Sequence, residues 1–176
     1  MIASQEITLE QILEARERRA ALQKQLVEKY RLPLVSFTVN MPGSIKITPE
    51  SSAIFRKGCK ALEEKLKEIG CLLEYSKVEV RHTGYEAYFV VITSERTLKG
   101  HMLQIENEHP LGRLFDLDVI GVDGKPISRE DLGASKRKCL ICEQDAHGCG
   151  RSRQHTSEVL MEKIKSMVDS YLKIES

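Results

Sequence analysis

The order of strand-like and helix-like patterns between residues 34 and 122 limits the fold more than any other feature of the sequence. Alternation of apolar and polar residues indicates strands, whereas apolar residues spaced three and four apart indicate helices. The predicted strands cover residues 34–39, 72–80, 87–92 and 114–122. Helical patterns begin after Thr48 and after Ser94, both residue types that cap helices. The resulting β-α-β-β-α-β order predicts an α+β, ferredoxin-like antiparallel sheet with its helices on one face.

The segments outside this core predict two further helices and one polar loop within a single domain. Thr8 and Gln11 have the spacing of a capping box, which predicts a helix from that point. The predicted parts of the domain, residues 1–176, are an N-terminal helix at 8–30, an α/β core at 34–122, a loop rich in cysteine and basic residues at 128–155, and a C-terminal helix at 156–173. The C-terminal helix is expected to dock on the core.

Composition restricts the classes of partner. The net charge is about +1, so no overall field attracts nucleic acid or a membrane surface. No apolar run approaches the roughly 18 residues of a membrane span, and residues 1–10 lack the pattern of a signal peptide. Five cysteines, an odd number, fit a reducing cytoplasm better than a disulfide framework. These features predict a cytoplasmic protein that binds neither membrane nor nucleic acid.

Two carboxylates, Asp116 and Asp118, lie two residues apart in an apolar run that follows Arg113. On a strand, residues i and i+2 point to the same face, so the two acids are expected to project together. Carboxylates held close together repel each other, and Mg²⁺ relieves this repulsion while also binding substrate phosphates. The pattern indicates a magnesium site for a phosphorylated substrate. A solvated strand face with two acids and no ligand is the alternative.

The loop segment contains a second group of metal-ligating residues. Cys139, Cys142 and Cys149 form a C-x2-C-x6-C pattern, and either His147 or His155 could complete it. Three thiolates and an imidazole can hold Zn²⁺ in tetrahedral geometry, and we take His155 as the fourth ligand. The alternative is that the three cysteines are reduced and act as small apolar residues.

Basic residues surround these cysteines. Five of them outnumber the two acids of the segment, Glu143 and Asp145, and they are Lys136, Arg137, Lys138, Arg151 and Arg153. Guanidinium groups match pairs of phosphate oxygens, so the segment predicts a phosphate site, with a solvated basic loop as the alternative. Lys46 is a weaker phosphate candidate. The run Arg16–Arg19 is expected to be a solvated helix face or a docking surface for an acidic partner.

Several of these residues together resemble the CitX family of apo-citrate lyase phosphoribosyl-dephospho-CoA transferases. The matching residues are the runs 109–119 (HPLGRLFDLDV), 128–129 (SR) and 137–144 (RKCLICEQ), together with Cys149. The resemblance implies transfer of a phosphoribosyl-dephospho-CoA group from 2′-(5″-triphosphoribosyl)-3′-dephospho-CoA to a serine of the citrate lyase acyl carrier protein, the γ subunit. Diphosphate would leave, as in nucleotidyl transfer, and a nucleotidyltransferase-like fold is the corresponding expectation.

The chemistry of that reaction assigns roles to the residues already named. Asp116 and Asp118 would hold Mg²⁺, one of them could accept the serine proton, and Arg113 with the basic residues of the loop would stabilise the diphosphate. Phosphate contacts are expected from Gly112, Arg137, Lys138, Arg151 and Arg153. A third acid is expected at Glu130 or Asp131.

Two other functions remain open at this stage. In the first, the chain is a non-enzymatic module whose zinc segment and basic loop bind nucleic acid or an acidic protein. In the second, it modifies the carrier protein of a different lyase.

Overall fold

The computed structural model describes residues 5–175. The helices are α1 (Leu9–Tyr30), α2 (Pro49–Glu68), α3 (Glu95–Glu108), α4 (Ala146–Ser152) and α5 (Ser157–Glu175), and the strands are β1 (Leu34–Val39), β2 (Leu72–Arg81), β3 (Gly84–Ile92) and β4 (Phe115–Ile120). Single 3₁₀ turns lie at Gly112–Leu114 and Glu130–Leu132. None of the helices in the described range combines the length and apolar character needed to cross a lipid bilayer.

The helix starts follow from local hydrogen bonds that the sequence predicts. The Thr8 hydroxyl accepts the Gln11 N–H at 3.2 Å, and the Gln11 side chain accepts the Thr8 N–H at 2.9 Å. Thr48 forms the same capping box with Ser51 at the start of α2, and the Ser94 hydroxyl accepts the Thr97 N–H at the start of α3. The short helix α4 was not predicted because its seven residues include two glycines, which disfavour a helix.

The four strands form one antiparallel sheet in the order β2-β3-β1-β4. One face carries the main core, which α2, α3 and α5 cover, and α1 packs through Leu26 and Val27 on the other face. The predicted α+β class is therefore confirmed. The chain from β1 to β4 runs β-α-β-β-α-β, and β4 forms one edge of the sheet.

The close approach of α2 to the sheet depends on Gly58, and we expect Gly58→Ala to lower the free energy of unfolding by about 1–2 kcal/mol. A Cβ atom there would overlap Cζ of Phe37 and lie 2.7 Å from Cε1 of the same ring. Phe37 is fully buried between Phe55 and Phe115, so it has little room to move. Overpacking should outweigh the gain of up to about 1 kcal/mol from replacing a helical glycine. Urea denaturation measures the difference.

Gly100→Ala in α3 is the matched control. Its added Cβ would meet only Leu132 Cδ2, at an ordinary 3.7 Å, so the helix-propensity gain should dominate and stability should stay equal or rise. Equal stability of the two alanine variants would contradict the packing argument.

Candidate functional site

Asp116 and Asp118 lie on β4 with both side chains on the face opposite the main core. Their neighbours Leu117 and Val119 are fully buried in that core, as the alternation of a strand requires. On the neighbouring strand β1, Thr38 pairs with Asp116 and Ser36 pairs with Asp118. The Thr38 hydroxyl donates a hydrogen bond of 3.4 Å to Asp116 Oδ2, and the Asp116 side chain keeps 45% of its surface exposed. The two acids are therefore neighbours on one accessible face.

The two carboxyl groups influence each other electrostatically. Although the Asp118 residue is exposed overall, protein atoms crowd its carboxyl group, and this burial together with the charge of Asp116 raises the pKa of Asp118 to about 6. Both causes act in the same direction, so the increase does not depend on burial alone. The site therefore favours a positive charge beside Asp118.

A buried ion cluster closes the edge of β4 next to this pair. Glu106 of α3 is 3% exposed, and its carboxylate binds the guanidinium groups of Arg137, at 2.8 Å, and Arg129. The same carboxylate accepts the Leu117 N–H at 3.0 Å, and Lys99 donates to the Leu117 carbonyl at 3.3 Å. Charged side chains thus satisfy backbone groups that an edge strand would otherwise expose.

Arg137 links this cluster to the acid pair. Its Nη2 atom donates to the Phe115 carbonyl at 3.1 Å, while its Nη1 atom lies 3.9 Å from Asp116 Oδ1. Burial lowers the pKa of Lys99, and the charges of Glu106 and Asp118 oppose this decrease. Because the Glu106 carboxylate binds the Arg137 guanidinium at 2.8 Å, the position of Arg137 depends on Glu106.

A cavity of about 680 Å³ opens between the end of β1, the loop at 137–142, α4 and the start of α5. Its lining includes four residues that the sequence singled out as phosphate-binding or catalytic: Arg113, Arg137, Lys138 and Arg153. Burial lowers the pKa of Arg113, and the positive charges of Arg137 and Arg129 lower it further. Apolar side chains such as Leu160 and Ile164 form another part of the lining.

Two of the predicted phosphate residues are not part of this lining. Arg151 is exposed on α4. Gly112 is buried, and a Cβ atom there would lie 2.5 Å from the carbonyl oxygens of Ile105 and Glu106. The glycine therefore permits close packing of the 3₁₀ turn on the end of α3, and its phosphate contact stays a prediction.

A second cavity, of about 190 Å³, lies between α1 and the sheet on the other side of Asp116. Arg16, Arg19 and Lys46 bring positive charge to it, and Asp116 and Glu86 bring negative charge. Burial and the nearby charge of Arg16 lower the pKa of Lys46. Glu86 is 2% exposed and forms an ion pair with Arg19 at 3.4 Å.

The two cavities are adjacent. Asn40, the residue after β1, lines both of them, and the Arg137 of the larger cavity contacts the Asp116 of the smaller one. Asp118 belongs to neither lining but shares its strand face with Asp116. The arrangement offers a phosphorylated ligand two neighbouring spaces, with the Asp116 carboxylate lining the smaller one.

The predicted cysteine ligands meet in space. Ligand atoms of Cys139, Cys142, Cys149 and His155 all lie within 4.8 Å of one another, so the cluster could hold a metal ion such as zinc. Cys142 Sγ is 3.4 Å from Cys149 Sγ and 3.3 Å from His155 Nε2. His147, the other candidate, is exposed on α4 and is not a member of the cluster.

Sequence reasoning missed several residues near the site, and its two candidates for a third acid lie outside both cavities. Glu130 and Asp131 are exposed on a 3₁₀ turn, where Asp131 accepts the Ser128 N–H at 2.8 Å, and neither lines a cavity described above. Glu86 and Glu106 are the acids that approach the pair. The spacing of Arg16 and Arg19, three residues apart on one helix face, was the available signal for the smaller cavity.

Comparisons with known proteins find relatives that match most of the chain. The model of the CitX family, described as apo-citrate lyase phosphoribosyl-dephospho-CoA transferase, matches residues 7–171. A Vibrio cholerae protein named "Probable apo-citrate lyase phosphoribosyl-dephospho-CoA transferase" is 43% identical over 94% of this chain and 93% of its own length. A Shigella boydii protein named "Apo-citrate lyase phosphoribosyl-dephospho-CoA transferase" is 32% identical over 93% of this chain and 89% of its own. The Haemophilus influenzae "Protein CitXG" is 35% identical over 94% of this chain but only 36% of its own length.

Proposed function

Because the chain belongs to the CitX family of apo-citrate lyase phosphoribosyl-dephospho-CoA transferases, we propose that it attaches the prosthetic group of citrate lyase. The donor would be 2′-(5″-triphosphoribosyl)-3′-dephospho-CoA, and the acceptor a serine of the apo acyl carrier protein. The serine oxygen would form a bond to the α-phosphorus as the bond from that phosphorus to the diphosphate oxygen breaks. This is transfer of the nucleotidyltransferase type, and it depends on positioning and charge neutralisation.

The observation that carries the proposal is the position of Asp116, which lines the smaller cavity, contacts Arg137 of the larger one and shares its strand face with Asp118. The larger cavity falls within the range of volumes that hold cofactor-sized ligands, and its lining combines apolar and basic groups. It is therefore suited to the dephospho-CoA part of the donor. The smaller cavity has room for phosphate groups but not for a nucleotide.

The acid pair fits Mg²⁺ by its donor set and by its electrostatics. Two carboxylates on one accessible strand face are the protein ligands that Mg²⁺ commonly uses together with substrate phosphates. Burial and the charge of Asp116 raise the pKa of Asp118, and a bound cation would offset both effects. Bound there, Mg²⁺ would polarise the phosphoryl oxygens of the donor.

Cations on both sides of Asp116 would neutralise the triphosphate along its length. Arg113 and Arg153 reach the larger cavity, and Arg16 and Lys46 reach the smaller one. Such charges stabilise the negative charge that develops on the departing diphosphate. Arg113 is partly buried, which lowers its pKa and leaves its charge less screened by solvent than that of a fully exposed arginine.

The direct test is the transfer reaction. We expect incubation of the protein with Mg²⁺, the triphosphoribosyl-dephospho-CoA and the apo carrier protein to increase the carrier mass by one phosphoribosyl-dephospho-CoA group. Diphosphate should be released in equal amount. Mass spectrometry of the carrier and a diphosphate assay measure the two products.

A carrier protein in which alanine replaces the acceptor serine is the matched control and should gain no mass. An unchanged mass of the serine carrier, with folded protein and intact donor, would overturn the proposal. Binding of the same preparation to RNA or DNA without any transfer would instead support the alternative of a non-enzymatic basic module.

A further inference from the structure

We propose that Cys139, Cys142, Cys149 and His155 bind one structural Zn²⁺ ion, and that this ion fixes the wall of the larger cavity. The donor set is the first support, since three thiolates and one imidazole form a common closed zinc site. Four protein ligands leave no open position for substrate, which assigns the ion a structural role. The site is separate from the Asp116–Asp118 pair, so its existence does not depend on the proposed transfer reaction.

The distances already approach those of a tetrahedral zinc site. With Zn–S near 2.3 Å and Zn–N near 2.0–2.1 Å, neighbouring ligand atoms lie about 3.6–3.8 Å apart. Cys142 Sγ is 3.4 Å from Cys149 Sγ and 3.3 Å from His155 Nε2, and all four ligand atoms lie within 4.8 Å of one another. Small side-chain movements are therefore enough to complete the tetrahedron.

Arg137 and Leu140 attach the start of the surrounding segment to the sheet and the main core, whereas the part around the cysteines is held by short-range contacts. Cys149 is the buried residue of α4, a helix of seven residues, which is too short to be stable by itself. Backbone hydrogen bonds from Cys139 N to Gln144 O and from Ala146 N to Arg137 O tie the segment to itself rather than to the sheet. A metal ion would supply the stabilisation that a larger apolar core provides elsewhere.

The ligands lie next to the basic residues of the larger cavity. Lys138 precedes Cys139 directly, and Arg153 lies two residues before His155. Cys139, Cys149 and His155 themselves line the cavity. Zinc would thus hold the loop, α4 and the start of α5 in one arrangement and present these cations to the cavity. A reducing cytoplasm, as predicted from the sequence, would keep the thiols available as ligands.

Metal content of the purified full-length protein tests the proposal. We expect about one zinc per chain by elemental analysis, unchanged in Cys71→Ser and lost in Cys142→Ser. Cys71 is half-buried against the main core and outside the cluster, which makes it the matched control. Circular dichroism should show that Cys142→Ser keeps its secondary structure, because Cys142 lies outside the strands and helices.

A second measurement does not depend on the folding of any variant. Wild-type protein stripped with a chelator should bind one cobalt(II) ion with the visible absorption of tetrahedral thiolate coordination. Zinc should displace the cobalt and slow amide hydrogen exchange in residues 137–156 but not in β1 or β3. Less than 0.2 zinc per chain after anaerobic reconstitution with zinc, or a Cys142–Cys149 disulfide in the freshly purified protein, would overturn the proposal.

Discussion

Replacing Asp118 with asparagine is expected to lower the rate of carrier modification by roughly 10²- to 10³-fold while stabilising the protein against unfolding in magnesium-free buffer. The rate should fall because an amide is a poor ligand for Mg²⁺ and no longer opposes the charge of the cation. The stability should rise because the substitution removes both the cost of burying the Asp118 charge and its repulsion by Asp116. Loss of activity with a gain in stability is typical of a functional residue.

The gain in stability should depend on pH in a defined direction. The folded state raises the pKa of Asp118 to about 6, above the value near 4 of a free aspartate. Asp118 therefore does not lower the free energy of unfolding below about pH 4. It lowers that free energy as the pH rises above 4 and through 6. Since solvent reaches Asp118, we expect the asparagine variant to exceed the wild type by about 1 kcal/mol at pH 8 and by little at pH 4.

Urea denaturation at pH 4 and pH 8, without magnesium and without a chelator that could disturb the cysteine cluster, measures this difference. Asp169→Asn is the matched control, because Asp169 is exposed on α5 and should change neither activity nor stability. Wild-type transfer rates in Asp118→Asn would remove Asp118 from the proposed site. Lower stability of that variant at pH 8 would contradict the repulsion argument.

The second large effect is expected for Glu106→Gln, which should lower the free energy of unfolding by about 3 kcal/mol. The substitution leaves the guanidinium groups of Arg129 and Arg137 at a buried position without their carboxylate. The midpoint of thermal unfolding should fall by roughly 6–12 °C for a chain of this size. Because Glu106 also positions Arg137 beside Asp116, the transfer rate should fall as well.

Glu108→Gln separates this effect from a general loss of charge. Glu108 is exposed on the same helix, near its C-terminal end, so its replacement should be neutral or slightly stabilising. Adding Arg129→Gln to Glu106→Gln should recover part of the lost stability, since one of the two uncompensated charges is then absent. Equal stability of the Glu106 and Glu108 variants would show that the ion cluster contributes little.

Helix capping and strand alternation, which depend on residues close together in the sequence, predicted much of the fold. Thr8, Thr48 and Ser94 were identified as helix caps because capping depends on residues within three positions along the chain. The strands of the core were located within a few residues because one face of each strand contacts the apolar core. The shared face of Asp116 and Asp118 followed from the same two-residue alternation.

Residues that act across long separations in sequence could not be predicted in this way. Glu86 binds Arg18 and Arg19 of α1, which lie more than 60 positions earlier in the chain. The run Arg16–Arg19 was expected to be a solvated face or a docking surface. Its first two residues are exposed, but Arg18 and Arg19 are partly buried on Glu86, and Arg16 and Arg19 line the smaller cavity. Helical spacing alone does not tell which face of α1 meets the sheet.

The sequence alone determined the α+β class, the acid pair on one strand face and the four candidate zinc ligands, because each depends on residues close together in the chain. Only the tertiary structure decided how these parts combine. Antiparallel pairing of β1 with β4 brings Asp116 beside Thr38, and the docking of α3 brings Glu106 to the edge of β4. Contacts of this kind arise when the sheet and helices bury their apolar faces together, and no local pattern encodes which charged groups then meet.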